Sequence, residues 1–179
     1  EAIIRINSQS GKGGIAYIMQ EDYGLNLPRG LQVEFRDEVQ KITDEEGTEL
    51  SSKRIHDRFM ELYANQPGAR LAFVDHHSYP DPEHPALRII AAEIMDRGEK
   101  KRIEGKGTGP IDGFVHALSI YLGIDLTVSD YSEHTLQHGS DASAICYMQV
   151  EHPKGKLYGV GINKNIVTFC NRCGDPAGL

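Results

Sequence analysis

Apolar residues recur at helical spacing through the first third of the chain. After Gly11-Lys12-Gly13-Gly14, which we read as a chain break, Ile15, Ile18 and Met19 define one helical face that runs out at Gly24. Leu31, Phe35, Val39 and Ile42 follow Pro28 at steps of four, four and three, so they share one face of a second helix, and that face is expected to be buried. Asp44-Glu45-Glu46-Gly47 ends it. Ser51 or Ser52 caps a third helix that carries Ile55, Phe59, Leu62 and Tyr63. A short strand, Ala2 to Ile6, is expected ahead of these helices, and the run Asn65-Gln66-Pro67-Gly68 is the best domain boundary in the chain.

Beyond that boundary the pattern repeats. Gly105-Lys106-Gly107 and Gly159-Val160-Gly161 are Gly-x-Gly pairs 54 residues apart, each closing a strand-like stretch. The first unit holds strands at Arg70 to Tyr79, Leu87 to Asp96 and Lys100 to Gly105, then a helix from Gly109 to Leu122 that Gly123 stops. The second holds strands at Ile124 to Thr135, Ala142 to Glu151 and Lys156 to Gly161, then a short helix from Asn163 to Arg172, cut by Gly174, Pro176 and Gly178. One segment pulls two ways. Leu87, Ile90, Ala91, Ile94 and Met95 have helical periodicity, yet the repeat requires a strand there, and we follow the repeat because pairing in a sheet overrules local spacing. The fold class is therefore α+β: a mostly helical portion followed by two βββα units.

Composition narrows the function classes. With 39% hydrophobic and 25% charged residues, the 179-residue chain has the balance of a globular protein. Nineteen Lys and Arg against twenty-six Asp and Glu leave a formal net charge of −7, which argues against nucleic acid as a partner. No apolar run has the roughly 18 to 20 residues that a membrane helix requires, so no membrane partner is expected. Three cysteines, Cys146, Cys170 and Cys173, cannot all pair within one chain, which fits a reducing cytoplasm. The chain opens on Glu1, and we read it as a fragment of something longer.

Several motifs invite chemistry that their spacing does not sustain. Gly11-Lys12-Gly13-Gly14 lacks the distal glycine and the Ser or Thr of a phosphate loop, and Gly105-Lys106-Gly107-Thr108-Gly109-Pro110 places proline where a dinucleotide fingerprint needs glycine. Asp75-His76-His77, His84, and His134 and His138 near Glu133 and Asp141 suggest a metal. Adjacent histidines on a strand point to opposite faces, however, so His76 and His77 are poorly placed to share an ion. Cys170-Asn171-Arg172-Cys173 is half of a zinc knuckle without its other half. Gly139-Ser140-Asp141 is not a nucleophile elbow, and no nucleophile, base and orienting group stand together, so no catalytic residue is assigned.

The turn from Gly107 to Ile111 has a better use. Glycines admit a backbone close to a ligand, and Pro110 opens a helix whose N-terminus offers amide donors to a small carboxylate. Ala142 and Ala144, two apart on a strand, face the same way and leave room for an aliphatic group. A capped strand-to-helix turn and tight packing against a helix are the purely structural readings of the same residues.

The longer motifs resemble one family. Asn7-Ser8-Gln9-Ser10-Gly11-Lys12-Gly13-Gly14-Ile15-Ala16-Tyr17, Leu27-Pro28-Arg29 and Gln32-Val33-Glu34-Phe35 resemble the linker region of the 2-isopropylmalate synthases. Gly107-Thr108-Gly109-Pro110-Ile111-Asp112, Phe114-Val115-His116-Ala117-Leu118, Asp130-Tyr131-Ser132-Glu133-His134 and Gly159-Val160-Gly161-Ile162 resemble their C-terminal regulatory domain. The likeness departs after Thr168, where family members continue into a longer, alanine-rich helix.

The resemblance implies a linker subdomain over 1–66 and a dimeric regulatory domain over 67–179 that binds L-leucine. It implies feedback inhibition of a catalytic TIM barrel N-terminal to this chain, which joins acetyl-CoA to 2-oxoisovalerate with a divalent metal; the fragment itself is expected to hold no cofactor. It implies an effector pocket of Gly107, Thr108, Gly109, Pro110 and Ile111 with Tyr131, Thr135, Ala142 and Ala144. Loop carbonyls and the Tyr131 hydroxyl are the expected partners of the ligand's ammonium. The alternatives are an isoleucine-binding domain like that of the citramalate synthases, a dimerisation scaffold without a working pocket, and a metal-dependent hydrolase using the histidines.

Overall fold

The computed structural model describes residues 12–64, 71–138 and 141–162. The expected strand at Ala2 to Ile6, the boundary at Asn65 to Gly68, the final helix from Asn163 to Arg172, and Cys170 and Cys173 lie outside these residues.

Three helices come first: α1 (Lys12–Tyr23), α2 (Arg29–Glu46) and α3 (Ser52–Phe59), the last running on into a π-helical turn at Met60–Ala64. The glycines at 13 and 14 do not break the chain as expected; they lie within the first turn of α1. Pro28 stands just before α2, where its missing N–H costs nothing, and Gly47 closes that helix in the left-handed conformation. Ser51 is the cap of α3, its side chain accepting the backbone N–H of Arg54 at 3.2 Å. Leu31, Phe35 and Val39 are buried as their spacing predicts, and Ile42 lies at the margin of the same core. Phe35 meets Phe59 edge-to-face at 5.1 Å, and the Tyr63 hydroxyl donates to Glu34 at 2.9 Å.

Two antiparallel three-stranded sheets follow, as the repeat requires. Sheet 1 has the order β1 (Leu71–Pro80), β2 (Arg88–Asp96), β3 (Glu99–Gly107), and α4 (Pro110–Leu122) lies across it. Sheet 2 has the order β4 (Thr127–His138), β5 (Asp141–His152), β6 (Gly155–Ile162). Residues 88–96 are indeed a strand. Ile89, Ile90, Ala91 and Ala92 are all buried in the central strand, so its first half carries no two-residue alternation, which begins only beyond Ala92.

The repeat is real but its register differs from the glycine spacing. The tight hairpins pair Asp96 with Glu99 and His152 with Gly155, 56 residues apart rather than 54. Gly161, opposite Cys146, therefore takes the place that Gly105, opposite Ile90, has in the first unit. Both first strands carry an irregularity at the matching point, between Phe73 and Asp75 and between Val128 and Asp130.

Two hydrophobic cores result, and sheet 2 contributes to both. Ile145 and Tyr147 of β5, with Leu136, Tyr158 and Val160, pack against α1, α2 and α3. Met148 and Val150 of the same strand join the core formed by sheet 1 and α4, around Ile90, Ile94, Phe114 and Leu118. Alternation along β5 thus places one side of the sheet against the helical portion and the hairpin end of the other against the first βββα unit.

Candidate functional site

The turn between β3 and α4 is built on close backbone contact. A β-carbon at Gly105 would collide with the backbone of Ala117 and Gly113, and one at Gly107 with the amide of Gly113. The first and middle glycines of the Gly-x-Gly-x-Gly run therefore admit the backbone of α4 closely. Gly109, with φ −153°, has open space around its α-carbon and remains available to an incoming group. The Thr108 amide donates to the Asp112 carboxylate at 3.0 Å, and the Thr108 hydroxyl lies 3.4 Å from the same oxygen. One of the expected amide donors is thus already committed. Pro110 is exposed at the first helical position, and Ile111 is half-buried at the edge of the second core.

Behind this turn a buried carboxylate fixes the strand. Asp81 is 2% exposed; its Oδ1 accepts the Glu83 amide at 3.0 Å and its Oδ2 pairs with Lys106 Nζ at 2.8 Å. The bond from Lys106, helped by the Glu83 amide, holds the Asp81 carboxyl below the usual carboxylate range. The same contact raises the Lys106 ammonium.

The other expected residues lie on sheet 2. Register places Tyr131 opposite Met148, Glu133 opposite Cys146, Thr135 opposite Ala144 and Gln137 opposite Ala142. Tyr131, Thr135 and Ala144 are exposed, Tyr131 to 37%, and directly paired residues share one face of the sheet. The Tyr131 hydroxyl donates to Glu133 at 2.9 Å. Burial of its ring, and then that carboxylate, push the phenol upward, so it stays protonated and acts as a donor. Burial likewise pushes up the Cys146 thiol, which remains neutral.

Two groups of expected residues are therefore found, at the start of α4 and on one face of sheet 2. Among the described residues no hydrogen bond joins them; they share an apolar margin, since Ile111 and Met148 belong to one core and Met148 is paired with Tyr131. Glu133 and Asp112 were not among the expected site residues, yet they are the carboxylates beside its polar atoms. The signal was available: Tyr131 and Glu133 stand two apart on a strand, and Asp112 stands four after Thr108 at a helix start.

The histidines go separate ways. His76 packs its ring near Phe73 at 5.6 Å, on the side facing α4, whereas His77 lines a hollow of about 140 Å³ on the opposite side with Asp75, Glu93 and Arg102. His134 Nε2 lies 2.8 Å from the Tyr147 hydroxyl and accepts the Asn26 amide at 3.2 Å. Among the described residues no three His, Cys, Asp or Glu side chains come together as metal ligands. No described helix is long and apolar enough to cross a membrane.

Residues 1–20 match the sequence profile of the alpha-isopropylmalate synthase post-catalytic domain-like family, and residues 49–169 that of the LeuA allosteric (dimerisation) domain. The chain is 75% identical over 167 residues to the 2-isopropylmalate synthase of Rhizobium meliloti (strain 1021) and 71% identical to that of Agrobacterium fabrum, in each case over 93% of this chain and 30% of the relative. A more distant 2-isopropylmalate synthase, from Thermobifida fusca, is 44% identical over 168 residues, 94% of this chain and 29% of the relative. The chain thus spans about 30% of the length of the curated relatives it matches. The match over residues 49–169, which takes in both three-stranded sheets and α4, means that this chain belongs to the LeuA allosteric (dimerisation) domain family.

Proposed function

We propose that this chain is the regulatory end of a 2-isopropylmalate synthase and that it binds L-leucine, whose occupancy inhibits condensation of acetyl-CoA with 2-oxoisovalerate by a barrel outside the chain. The divalent metal that polarises a carbonyl in such a condensation belongs, in this reading, to that barrel. The regulatory part, residues 67–179, works as a homodimer, and residues 1–66 link it to the catalytic part.

One observation carries the reading: Tyr131, Thr135 and Ala144 lie exposed on one face of sheet 2, bounded by Met148, whose core reaches Ile111 at the start of α4. Leucine requires donors for its carboxylate, an acceptor for its ammonium and a shallow apolar recess. The amides of Gly109 and Ile111, at the positive end of α4, serve the first need. Glu133 serves the second, as the charged acceptor on this face, with the Tyr131 hydroxyl that donates to it still able to accept through its lone pairs. The methyl group of Ala144, with Thr135, bounds the recess, and Ala142 stands two residues along the same strand.

Isothermal titration of the chain with leucine, isoleucine and valine tests this. Saturable binding of leucine, tighter than that of the other two, is expected. Preference for isoleucine would move the chain to a citramalate-type regulator, because one methyl position is worth only about 1 to 3 kcal/mol in an apolar pocket. No saturable heat with any of the three, from a chain that is folded by circular dichroism, would overturn the proposal.

A further inference from the structure

The reverse side of β4 suggests how occupancy of that face is reported. Thr135 belongs to the exposed face, and its neighbour His134 points the other way, toward the helical portion. There the connection between α1 and α2 lies against sheet 2. Leu25 and Leu27 are buried in the first core, and between them the Asn26 amide donates to His134 Nε2 at 3.2 Å. The same nitrogen is 2.8 Å from the Tyr147 hydroxyl, and the two rings stack at 5.4 Å. Tyr147 is 1% exposed, and burial keeps its phenol protonated. Two donors therefore converge on Nε2, so this nitrogen is the bare one and the ring proton sits on Nδ1. Nδ1 lies 3.3 Å from the carbonyl oxygen of Thr135, the residue that faces the effector side.

We propose that His134 is a positioning residue for regulation: its imidazole ties the peptide behind Thr135 to the Asn26 amide, so a ligand on the outer face of sheet 2 changes the seating of the α1–α2 connection. This rests on the leucine-binding reading above. At 3.2 and 3.3 Å both contacts of the imidazole are at the long end of the hydrogen-bond range, so a displacement of β4 away from the connection breaks this link. The adjoining leucines convey the change to α1 and α2, since both are packed in the core that those helices share with sheet 2.

The test uses the full-length synthase carrying this chain, with the chain alone for calorimetry. His134→Leu removes the acceptor; His134→Gln retains an amide oxygen able to accept both donors. His134→Leu is expected to bind leucine within about threefold of the unaltered chain, yet to lose most of the inhibition that saturating leucine gives, while His134→Gln keeps that inhibition. A merely structural role would move binding and uninhibited rate together and would not distinguish Gln from Leu. Unchanged inhibition in His134→Leu would overturn the proposal. If that variant does not fold, Asn26→Pro, which deletes the donated N–H at an exposed position of the α1–α2 connection, replaces it: relaxed inhibition with leucine still bound supports the link, and full inhibition overturns it. Failure of the unaltered chain to bind leucine sinks the underlying reading, whereas leucine binding with inhibition indifferent to these substitutions sinks this inference alone.

Discussion

Gly105 and Gly109 are four residues apart in a glycine-rich turn, but different forces act on them. A methyl group at 105 would meet the backbone of α4, which has no flexible end to move aside, whereas one at 109 would meet nothing within 4 Å. Gly105→Ala is expected to cost about 1 to 3 kcal/mol in chemical denaturation, the usual penalty of overpacking. Gly109→Ala should stay within about 0.5 kcal/mol. Equal losses would mean that the close approach of β3 to α4 is not what needs glycine at 105. Asp81 offers a second test at this scale. Its carboxyl is held below the usual range in the folded chain, so unfolding takes up a proton as the pH nears the ordinary carboxylate value; the stabilisation is complete above that value and is lost as pH falls through the folded one. The gap in melting temperature between the unaltered chain and Asp81→Asn should be steady above about pH 5 and narrow below about pH 4. A gap that persists undiminished at the acid end would contradict the assignment. The sequence did not disclose this pair, because Asp81 and Lys106 are twenty-five positions apart and only the folded β1–β2 connection brings them together.

At the scale of elements, helices on one buried face were the most legible, because a single apolar stripe at 3.6-residue spacing has one solution. Ile55, Phe59 and Tyr63 are buried where the spacing puts them. β2 was legible only through the repeat: a central strand buried on both sides at Ile89 to Ala92 carries no alternation to distinguish it from a helix. The repeat register was misjudged by two residues for a related reason. Strand register makes Gly105 and Gly161 correspond, whereas the hairpin turns that set it, Arg97-Gly98 and Pro153-Lys154, share no residue type. The element that bears most on the proposed function is β5, which offers Ala144 to the exposed face opposite Thr135. Ala144→Val should fill the proposed recess and weaken leucine binding at least tenfold, about 1.4 kcal/mol by calorimetry. The sheet should survive intact, since valine suits a strand. Unaltered affinity would place the recess elsewhere.

In the whole molecule, sheet 2 is common ground: one side packs on α1, α2 and α3, and the hairpin end of the other packs on the unit of sheet 1 and α4. Hydrophobic spacing and the repeat together forecast the described helices and strands but not this shared position, because a pattern along the chain says that a face is buried without saying against what. The same limit applied to the site. Small residues and a helix start were read as ligand-binding features, while Glu133 was noted only beside the histidines and Asp112 only within a motif; the folded strand and the start of α4 bring them beside Tyr131 and Thr108. The account makes sheet 2 the plate between effector and linker, and hydrogen exchange of the chain with and without leucine tests that directly. Saturating leucine is expected to slow exchange at the start of α4, along β4 and β5 around Thr135 and Ala144, and at Asn26 on the opposite side. Slowing confined to other segments, or no slowing where calorimetry shows leucine bound, would contradict it.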